Sequence, residues 1–487
     1  MEVLVIVGYS VSLILIFIFS LGQLNLALHY RRKSPKEKEQ EIEPESWPMV
    51  TIQLPIYNEK YVVNRLIDSV VNFNYPKDRF DVQVLDDSTD ETSEMIAKKL
   101  AEYSDIGIEI NHIRRKDREG FKAGALRYGT DIARGELIAV FDADFLPKKD
   151  FLKKTVTFFD DKEIGMVQTR WGHVNQDYSL LTKMQAFGLD AHFTVEQAGR
   201  NKAGSFISFN GTAGVWRKEC IKDAGGWSAE TLTEDLDLSY RAQLKGWKFK
   251  FLEDVIAPAE LPILLTAVKS QQYRWNKGAA ETAKKNLGNI FRSKLKLSQK
   301  FHATLHLLNS SVFLLLLTAG LLSIPMLFIK ESHPEYKIYF DIGSVFLLGF
   351  FAIAFFYWTA AKKIRVKNTL KYYVLNFPLF LAFSMGLSLH NGIAVGEGLL
   401  GIKTPFIRTP KFNILNKADK WTGNIYVNFK ITPSVIMEGI LCLYFIMGIG
   451  VGLYLVDFGL ILFHFMLALG FGAITFLSLR PLSYARS

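Results

Sequence analysis

Two aspartates one residue apart follow an apolar run of the sequence, where Leu137–Phe141 leads into Asp142, Ala143 and Asp144. Carboxylates at the end of a strand supply the oxygen ligands that Mg²⁺ or Mn²⁺ prefers. Such a cation neutralises the charge of a diphosphate leaving group. The same spacing is also typical of a solvated turn, so this motif indicates a metal site only together with other motifs.

An earlier apolar run ends in Asp86 and Asp87, followed by Ser88 and Thr89. Acidic and hydroxyl side chains at the head of a crevice accept hydrogen bonds from a base or from ribose hydroxyls. They also cap helices, and both interpretations stay open. Lys122 lies between two glycines in the run 120–125, where the backbone can come close to an anion while the ammonium supplies charge. Taken by itself, this run is only a glycine-rich turn.

Two later motifs add a possible base and a possible sugar contact. Glu234 and Asp235 precede an amphipathic run, where a carboxylate is more often a helix cap than a base. Gln271, Arg274 and Trp275 lie within five residues. Arginine forks onto phosphate and a tryptophan face carries a sugar ring, although a belt of Trp and Arg at a membrane surface has the same composition.

These residues must be positioned by an α/β domain, which we predict over 48–258. Short strand-like runs at 50–54, 82–85 and 137–141 alternate with segments of helical character at 60–72 and 91–103. Such alternation is typical of a mostly parallel sheet with helices on both faces. Ligands of such sheets bind beyond the carboxyl ends of the strands, where the four aspartates fall.

Composition indicates a protein with both soluble and membrane parts. The chain has 487 residues, 49% of them hydrophobic, and a net charge of +10. No zinc-ligand set, RNA-binding aromatic signature or Arg-rich tract accompanies this charge, which argues against a nucleic-acid partner. Cys220 and Cys442 are far apart in sequence, so a disulfide framework is not expected.

Apolar runs predict five crossing helices: an anchor in 1–30 and spans at 304–329, 339–361, 434–455 and 458–479. Basic residues after the anchor place its N-terminus outside and the next segment in the cytosol. The stretch 370–397 carries polar groups and has basic loops on both sides, so we expect it to lie in the interface or to re-enter. The stretches 178–200 and 259–303 are expected as amphipathic helices on the inner membrane surface, with ordinary surface helices as the alternative.

Taken together, the ordered set Asp86-Asp87, Asp142-x-Asp144, Thr233-Glu234-Asp235 and Gln271-x-x-Arg274-Trp275 resembles glycosyltransferase family 2, in its processive membrane branch of cellulose, hyaluronan and mannan synthases. The runs 167–171, 209–217 and 271–275 look like those of the plant cellulose-synthase-like A and C enzymes. The resemblance implies a cytosolic domain with a GT-A fold, a nucleotide-diphospho-sugar donor and an inverting single displacement. It also implies that a transmembrane bundle at 304–487 follows this domain.

The resemblance also implies a role for each motif residue. Tyr57, Glu59, Asp86 and Asp87 would hold the nucleoside, and Lys122, Gln271 and Arg274 the diphosphate. Asp144, with Asp142 nearby, would hold Mg²⁺ or Mn²⁺, and Asp235, beside Glu234, would be the general base. The acceptor subsite would be formed by Trp275, Phe209, Asn210, Gly211 and Thr212.

A gating loop of this family is matched by Phe406, Arg408, Thr409 and Lys411 within the cytosolic stretch 398–433, with Arg408 in place of the usual valine. The loop would close over the diphosphate with an extra charge or serve only as a basic linker. The leading hypothesis is a processive β-glycan synthase that also secretes its product. The alternatives are a non-processive enzyme with a lipid acceptor and, in another class, a transporter or non-catalytic scaffold. Short terminal extensions favour a bacterial inner membrane.

Overall fold

The computed structural model describes residues 1–32, 46–336, 343–365, 367–405, 407–419 and 431–484. Long apolar helices come from the first and last parts of the chain, and a sheet with flanking helices comes from the part between them. In chain order the helices are α1 (Glu2–Arg31), α2 (Val63–Val71), α3 (Thr92–Ala101), α4 (Phe121–Ile132), α5 (Phe151–Val156), α6 (Leu180–Ala191), α7 (Gln197–Lys202), α8 (Lys218–Asp223), α9 (Glu234–Leu244), α10 (Leu265–Arg292), α11 (Leu297–Leu307), α12 (Ser311–Ser332), α13 (Leu347–Ile364), α14 (Thr369–Gly386), α15 (Ser388–Leu400), α16 (Pro433–Tyr454) and α17 (Ile461–Tyr484).

One sheet of seven strands has the order β3-β2-β1-β4-β6-β5-β7. The strands are β1 (Val50–Ile56), β2 (Phe80–Asp86), β3 (Glu109–Ile113), β4 (Leu137–Val140), β5 (Ile164–His173), β6 (Gly214–Arg217) and β7 (Lys248–Ala259). The first four strands pair in parallel, whereas β6 is antiparallel to both β4 and β5. The parallel half therefore has its carboxyl ends at one edge, as the sequence predicted.

Alternate residues of β4 supply two separate hydrophobic cores. Leu137 and Ala139 pack with Leu66 on one face of the sheet. Ile138 and Val140 pack on the other face, in a cluster that also contains Trp216 and Leu238. Because successive strand side chains point to opposite faces, a strand buried on both sides reads as a continuous apolar run. The predicted α/β fold with helices on both faces is confirmed.

Five helices are long and apolar enough to cross a membrane: α1, α12, α13, α16 and the part Ile461–Leu479 of α17. Helices α14 and α15 pass the same test only as a pair that bends by 50° between Gly386 and Ser388. This pair covers the ambiguous stretch 370–397. The predicted span 304–329 is divided differently, since α11 ends at Leu307 and α12 begins at Ser311. Asn and Ser at the break favour helix ends over helix interiors.

The two amphipathic stretches also differ in detail from the prediction. Residues 178–200 form α6, a π-helical turn His192–Glu196 and α7. The second stretch does not start as a helix, because the chain is extended up to Ala259 in β7 and α10 begins only at Leu265. The thiols of Cys220 and Cys442 are both free within the described residues.

Candidate active site

A cavity of about 120 Å³ opens beside the carboxyl ends of β1, β2 and β4. Charged and polar side chains from distant parts of the chain form its wall. Ten of the site residues named from the sequence line it: Tyr57, Glu59, Asp87, Lys122, Asp142, Asp144, Arg274, Arg408, Thr409 and Lys411. The structure therefore brings the strand-end motifs, the α10 motif and the gating-like segment to one place.

The two aspartates of the Asp-x-Asp motif each contact a lysine. Lys122 Nζ donates to Asp142 Oδ1 at 2.6 Å, and Lys411 Nζ lies 2.8 Å from Asp144 Oδ2. The other oxygen of Asp144, Oδ1, is buried and has no hydrogen-bond partner among the described residues. In the part of the chain that the structure describes, no three or more His, Cys, Asp or Glu side chains are grouped so that they could hold a metal ion. Two carboxylates with one oxygen unused suit Mg²⁺ or Mn²⁺, which take their remaining ligands from phosphate and water.

Glu59 and Tyr57 form the end of the cavity that follows β1. The Arg118 guanidinium lies 3.3 Å from the centroid of the Tyr57 ring. Arg408 Nη1 lies 2.7 Å from Glu59 Oε2. Burial raises the pKa of Glu59 to about 7, although Arg408 and Lys411 act in the opposite direction. This carboxyl group is therefore sensitive to the charge of whatever lies beside it.

The two neighbouring aspartates after β2 are used differently. Asp87 lines the cavity and receives a two-pronged contact from Arg115, with Nε donating to Oδ1 at 3.0 Å. Asp86 is buried and does not line the cavity. Its carboxylate accepts from the Ser88 backbone N–H and the Ser93 hydroxyl and contacts His112. Burial alone would raise the pKa of Asp86, but these hydrogen bonds hold it at about 2. Asp86 therefore has a structural role next to Asp87 and does not face the cavity.

Arg115 and Arg118 are two site residues that the sequence analysis missed. They belong to the run Arg114-Arg115-Lys116-Asp117-Arg118, which precedes the glycine-rich turn at Gly120. A cationic run of this kind ordinarily indicates a solvated loop. The available signal was its position, since a basic loop that enters the Lys122 turn lies at the same sheet edge as Asp87.

Asp235 lies at the start of α9 and faces Lys122. Its Oδ1 accepts from the Leu236 backbone N–H at 2.8 Å, and a Cβ placed on Gly211 would lie 3.0 Å from its Oδ2. Burial and the neighbouring Glu234 raise the pKa of Asp235 to about 7, against the effect of Lys122. A carboxyl group with this pKa accepts a proton readily near neutral pH.

Lys122 connects the two halves of the site. Besides Asp142, its ammonium donates to the Gly211 carbonyl at 2.9 Å and lies 3.9 Å from Glu234 Oε1. Burial would lower the pKa of Lys122, but Asp142 and Glu234 outweigh burial and the pKa is raised. One permanently charged lysine therefore lies between the aspartate pair and the candidate base.

The α10 motif contributes unequally. Arg274 lines the cavity and donates from Nη2 to Thr409 Oγ1 at 2.8 Å. The Trp275 ring centroid lies 6.4 Å from that of Trp171, so two tryptophans are neighbours beside the site. Gln271 is half-buried and does not line the cavity.

The residues of the predicted acceptor loop, 209–212, differ in their surroundings. The Phe209 ring is buried in the core against Trp216 and Trp227, which leaves it no face toward the cavity. The hydroxyl of Thr212 accepts from the Asp142 backbone N–H at 2.9 Å. Gly211 has φ = +81°, a conformation that favours glycine, and Asn210 lies next to it.

Three residues of the segment 407–415, Arg408, Thr409 and Lys411, line the cavity. Besides Arg408, Thr409 and Lys411, the segment is joined to the domain through Glu260, which accepts from the Phe412 N–H at 2.9 Å and pairs with Arg65 at 2.7 Å. Phe412 and Ile414 are buried in a cluster with Ile263. Phe406, the first residue of the gating motif, lies outside the described residues.

The sheet order and the two strand-end aspartates at one cavity define a nucleotide-diphospho-sugar transferase fold of the GT-A type. Residues 48–278 match the family described as "Glycosyltransferase like family 2". This part of the chain is therefore a glycosyltransferase family 2 domain. A mannosyltransferase from Pyrobaculum calidifontis, solved in complex with GDP-Man and Mn²⁺, has the same fold at 20% identity and a TM-score of 0.50, covering 74% of this chain and 100% of that one.

Plant enzymes are similar over the same part of the chain. Glucomannan 4-beta-mannosyltransferase 1 of Oryza sativa subsp. japonica is 43% identical over 270 residues, which are 54% of this chain and 52% of the relative. The enzyme of that name from Cyamopsis tetragonoloba is 44% identical over 244 residues, 49% of this chain and 46% of the relative. The chain thus spans about half the length of the curated relatives it matches.

Proposed function

We propose that this protein is an inverting hexosyltransferase that moves a sugar from a nucleotide-diphospho-sugar to the non-reducing end of a growing β-glycan. The observation that carries the proposal is the position of Lys122, between the aspartate pair that would face the diphosphate and the carboxylate that would face the acceptor. The names of the plant relatives favour a mannosyl donor. Their similarity covers the catalytic domain, which is the part that selects the donor.

The chemical step follows from Asp235. Its carboxylate takes the proton of the acceptor hydroxyl while that oxygen attacks the anomeric carbon. The bond from this carbon to the diphosphate oxygen breaks on the opposite face, so one displacement inverts the configuration. Arg274, Arg408 and Lys411 stabilise the negative charge of the departing diphosphate. Mg²⁺ or Mn²⁺ held by Asp142 and Asp144 would neutralise part of the same charge.

Translocation of the product is supported by unused polar groups in α10 and in the bundle helices α15 and α17. Ser270 Oγ, Ser388 Oγ, Thr475 Oγ1 and both amide atoms of Asn391 are buried without a hydrogen-bond partner in the described part of the chain. They belong to α10, α15 and α17. Buried polar atoms ordinarily have a hydrogen-bond partner, which can be protein, ordered water or a ligand. A glycan offers hydroxyl groups along its whole length, which favours a polymer as the acceptor.

The proposed layout places the catalytic domain in the cytosol between an N-terminal anchor and the bundle, with α6, α7, α10 and α11 at the inner membrane surface. The five apolar helices support a membrane location. Basic residues that follow α1 and α13 support the orientation. The assignment to a bacterial inner membrane stays a prediction.

The test uses membranes that contain the full chain. They are incubated in turn with labelled GDP-mannose, GDP-glucose and UDP-glucose, with Mg²⁺, with Mn²⁺ or with EDTA, and the product is digested with linkage-specific hydrolases. We expect a β-linked polymer that requires a divalent cation, and no product from D235N, which should still bind the donor. A short product that extracts into organic solvent would indicate a lipid acceptor and overturn the polymer assignment.

A further inference from the structure

A buried chain of hydrogen bonds runs from α7 toward the acceptor loop, outside the cavity at the strand ends. Arg200 Nη2 donates to Glu196 Oε1 at 2.5 Å, and Glu196 Oε2 lies 2.8 Å from His192 Nδ1. The side chains of Glu196 and Arg200 are only 7% and 3% exposed. Burial would raise the pKa of Glu196, but Arg200 and His192 hold it below its usual range, so this residue is a carboxylate.

The Asn210 amide determines which atoms donate and which accept in this series of hydrogen bonds. Gln197 Nε2 donates to Asn210 Oδ1 at 2.6 Å, so the Asn210 amide nitrogen faces His192 Nε2, at 3.1 Å. An amide nitrogen only donates, and therefore His192 Nε2 must accept. The ring proton is then on Nδ1, where it is donated to Glu196. The Glu196 carboxylate thus fixes the orientation of the His192 ring and the position of its Nδ1 proton.

The backbone of Asn210 and Gly211 connects these hydrogen bonds to the candidate active site. The Asn210 N–H donates to Gln168 Oε1 at 3.0 Å, and the next residue, Gly211, accepts from Lys122 through its carbonyl. The same glycine lies against Asp235, because a Cβ on it would come within 3.0 Å of Oδ2. Any shift of Asn210 therefore moves the groups that surround the base and its lysine.

We propose that His192, oriented by Glu196, is a positioning residue for the transfer step. It holds Asn210 in place and, through Gly211, keeps Lys122 aligned with Asp235. The inference rests on the proposed function, in which Asp235 is the base. The helix widens into its π-helical turn at His192–Glu196. Such turns occur frequently at functional sites. Each additional residue rotates the rest of the helix by roughly 100°, which here sets where Gln197 and Arg200 face relative to His192.

The donor-to-acceptor direction of these hydrogen bonds can be reversed by substitutions that keep the shapes of the side chains. In E196Q the introduced amide keeps its oxygen toward Arg200 and turns its NH₂ group toward His192, so the ring proton moves to Nε2 and meets the Asn210 amide. Two donors then face each other. N210D replaces that donor with an acceptor, so the double variant E196Q/N210D restores complementary partners and has the net charge of the wild type.

The experiment measures initial rates at varied donor concentration, together with thermal unfolding, for the full chain in nanodiscs. D81N is the control, since Asp81 is also buried and accepts from Thr51 Oγ1 at 2.7 Å, but lies at the amino end of β2, away from the cavity at the carboxyl ends of the strands. We expect E196Q and N210D each to lower kcat by about tenfold to 100-fold with donor KM unchanged. E196Q also leaves the buried Arg200 without a carboxylate partner and should lower Tm, so the split between kcat and KM is the readout that separates positioning from stability. The double variant should recover most of kcat, and D81N should keep it.

Losses that add in the double variant would overturn the positioning role, as would an E196Q rate equal to that of D81N. If E196Q does not accumulate, the double variant decides the matter: recovered accumulation without recovered kcat would make Glu196 a stability residue only. Full transfer by D235N would instead overturn the proposed function, in which Asp235 is the base. The variants at Glu196 and Asn210 leave Asp235 unchanged, so the two failures are distinguishable.

Discussion

Lys411 Nζ lies 2.8 Å from Asp144 Oδ2, which joins the segment after the bent helix pair directly to the second aspartate of the Asp-x-Asp motif. The two side chains are 15% and 7% exposed. Charges with this little exposure are screened weakly by salt. The contact places Lys411 in the cavity at the strand ends, which a basic linker alone does not explain.

Replacement of Lys411 with Gln should therefore weaken donor binding. The pocket loses a cation that would face the diphosphate, and we expect donor KM to rise about tenfold, as for loss of a charge-assisted hydrogen bond. The measurement is donor KM together with the inhibition constant of the nucleoside diphosphate. K403Q is the control, because Lys403 is exposed on the same segment. An unchanged KM in K411Q would remove this lysine from the donor site.

The fold was predictable because the apolar pattern of a buried strand is visible within a short stretch of sequence. Leu137–Phe141 alternates between two cores, so the run is apolar throughout and its end marks the sheet edge. The convergence of Asp87 and Asp142 follows from parallel strands, whose carboxyl ends share that edge. These parts of the site need no knowledge of tertiary packing.

The remaining parts depend on packing between distant segments. Phe209 belongs to the same motif as Asn210, yet its ring completes a core with Trp216 and Trp227, and no local pattern separates the two roles. His192 lies in a stretch that reads as an amphipathic helix. Its partners become visible only when the π-helical turn and the Asn210 loop are seen together.

The pH dependence of transfer should report the titration of Asp235. A base acts when deprotonated, so activity should be low below its pKa of about 7 and rise to a plateau above it. Glu234 contributes to that raised pKa, and E234Q should therefore move the midpoint toward lower pH. Initial rates across about pH 5 to pH 9 measure this shift.

The control for this profile is E230Q, because Glu230 is exposed and pairs with Lys285. Its midpoint should equal that of the wild type. A midpoint in E234Q that stays in place or moves upward would show that another group controls the profile.

Gly211 should not tolerate alanine. Its φ of +81° is strained for other residues, and the added Cβ would lie 3.0 Å from Asp235 Oδ2 and 3.4 Å from Lys122 Nζ. G204A is the matched control, with φ of +63° and no neighbour within 4 Å of the added Cβ. Both variants carry the backbone strain, about 1 kcal/mol or more. Only G211A should lose kcat, by about 100-fold, and equal rates in the two variants would contradict the close approach to the base.

In the described part of the chain, helix α10 is joined to the bundle by two ion pairs, Lys269 with Glu438 of α16 and Lys277 with Glu397 of α15. Lys269 Nζ lies 2.7 Å from Glu438 Oε2 of α16 and donates to Ser478 Oγ of α17 at 3.1 Å. K269M would leave Glu438 buried with an uncompensated charge, which costs about 3–5 kcal/mol of unfolding free energy. K269M/E438M removes both charges and should recover most of that loss.

Denaturant unfolding in detergent, followed by tryptophan fluorescence, measures both variants. K330Q is the control for an exposed pair, since Lys330 is 43% exposed beside Asp457, and it should cost about 1 kcal/mol or less. Because α10 carries Arg274 and Trp275, K269M should also lower transfer, and the double variant should restore stability and transfer together. Restored stability without restored transfer would show that Lys269 acts on the site by a route other than the attachment of α10.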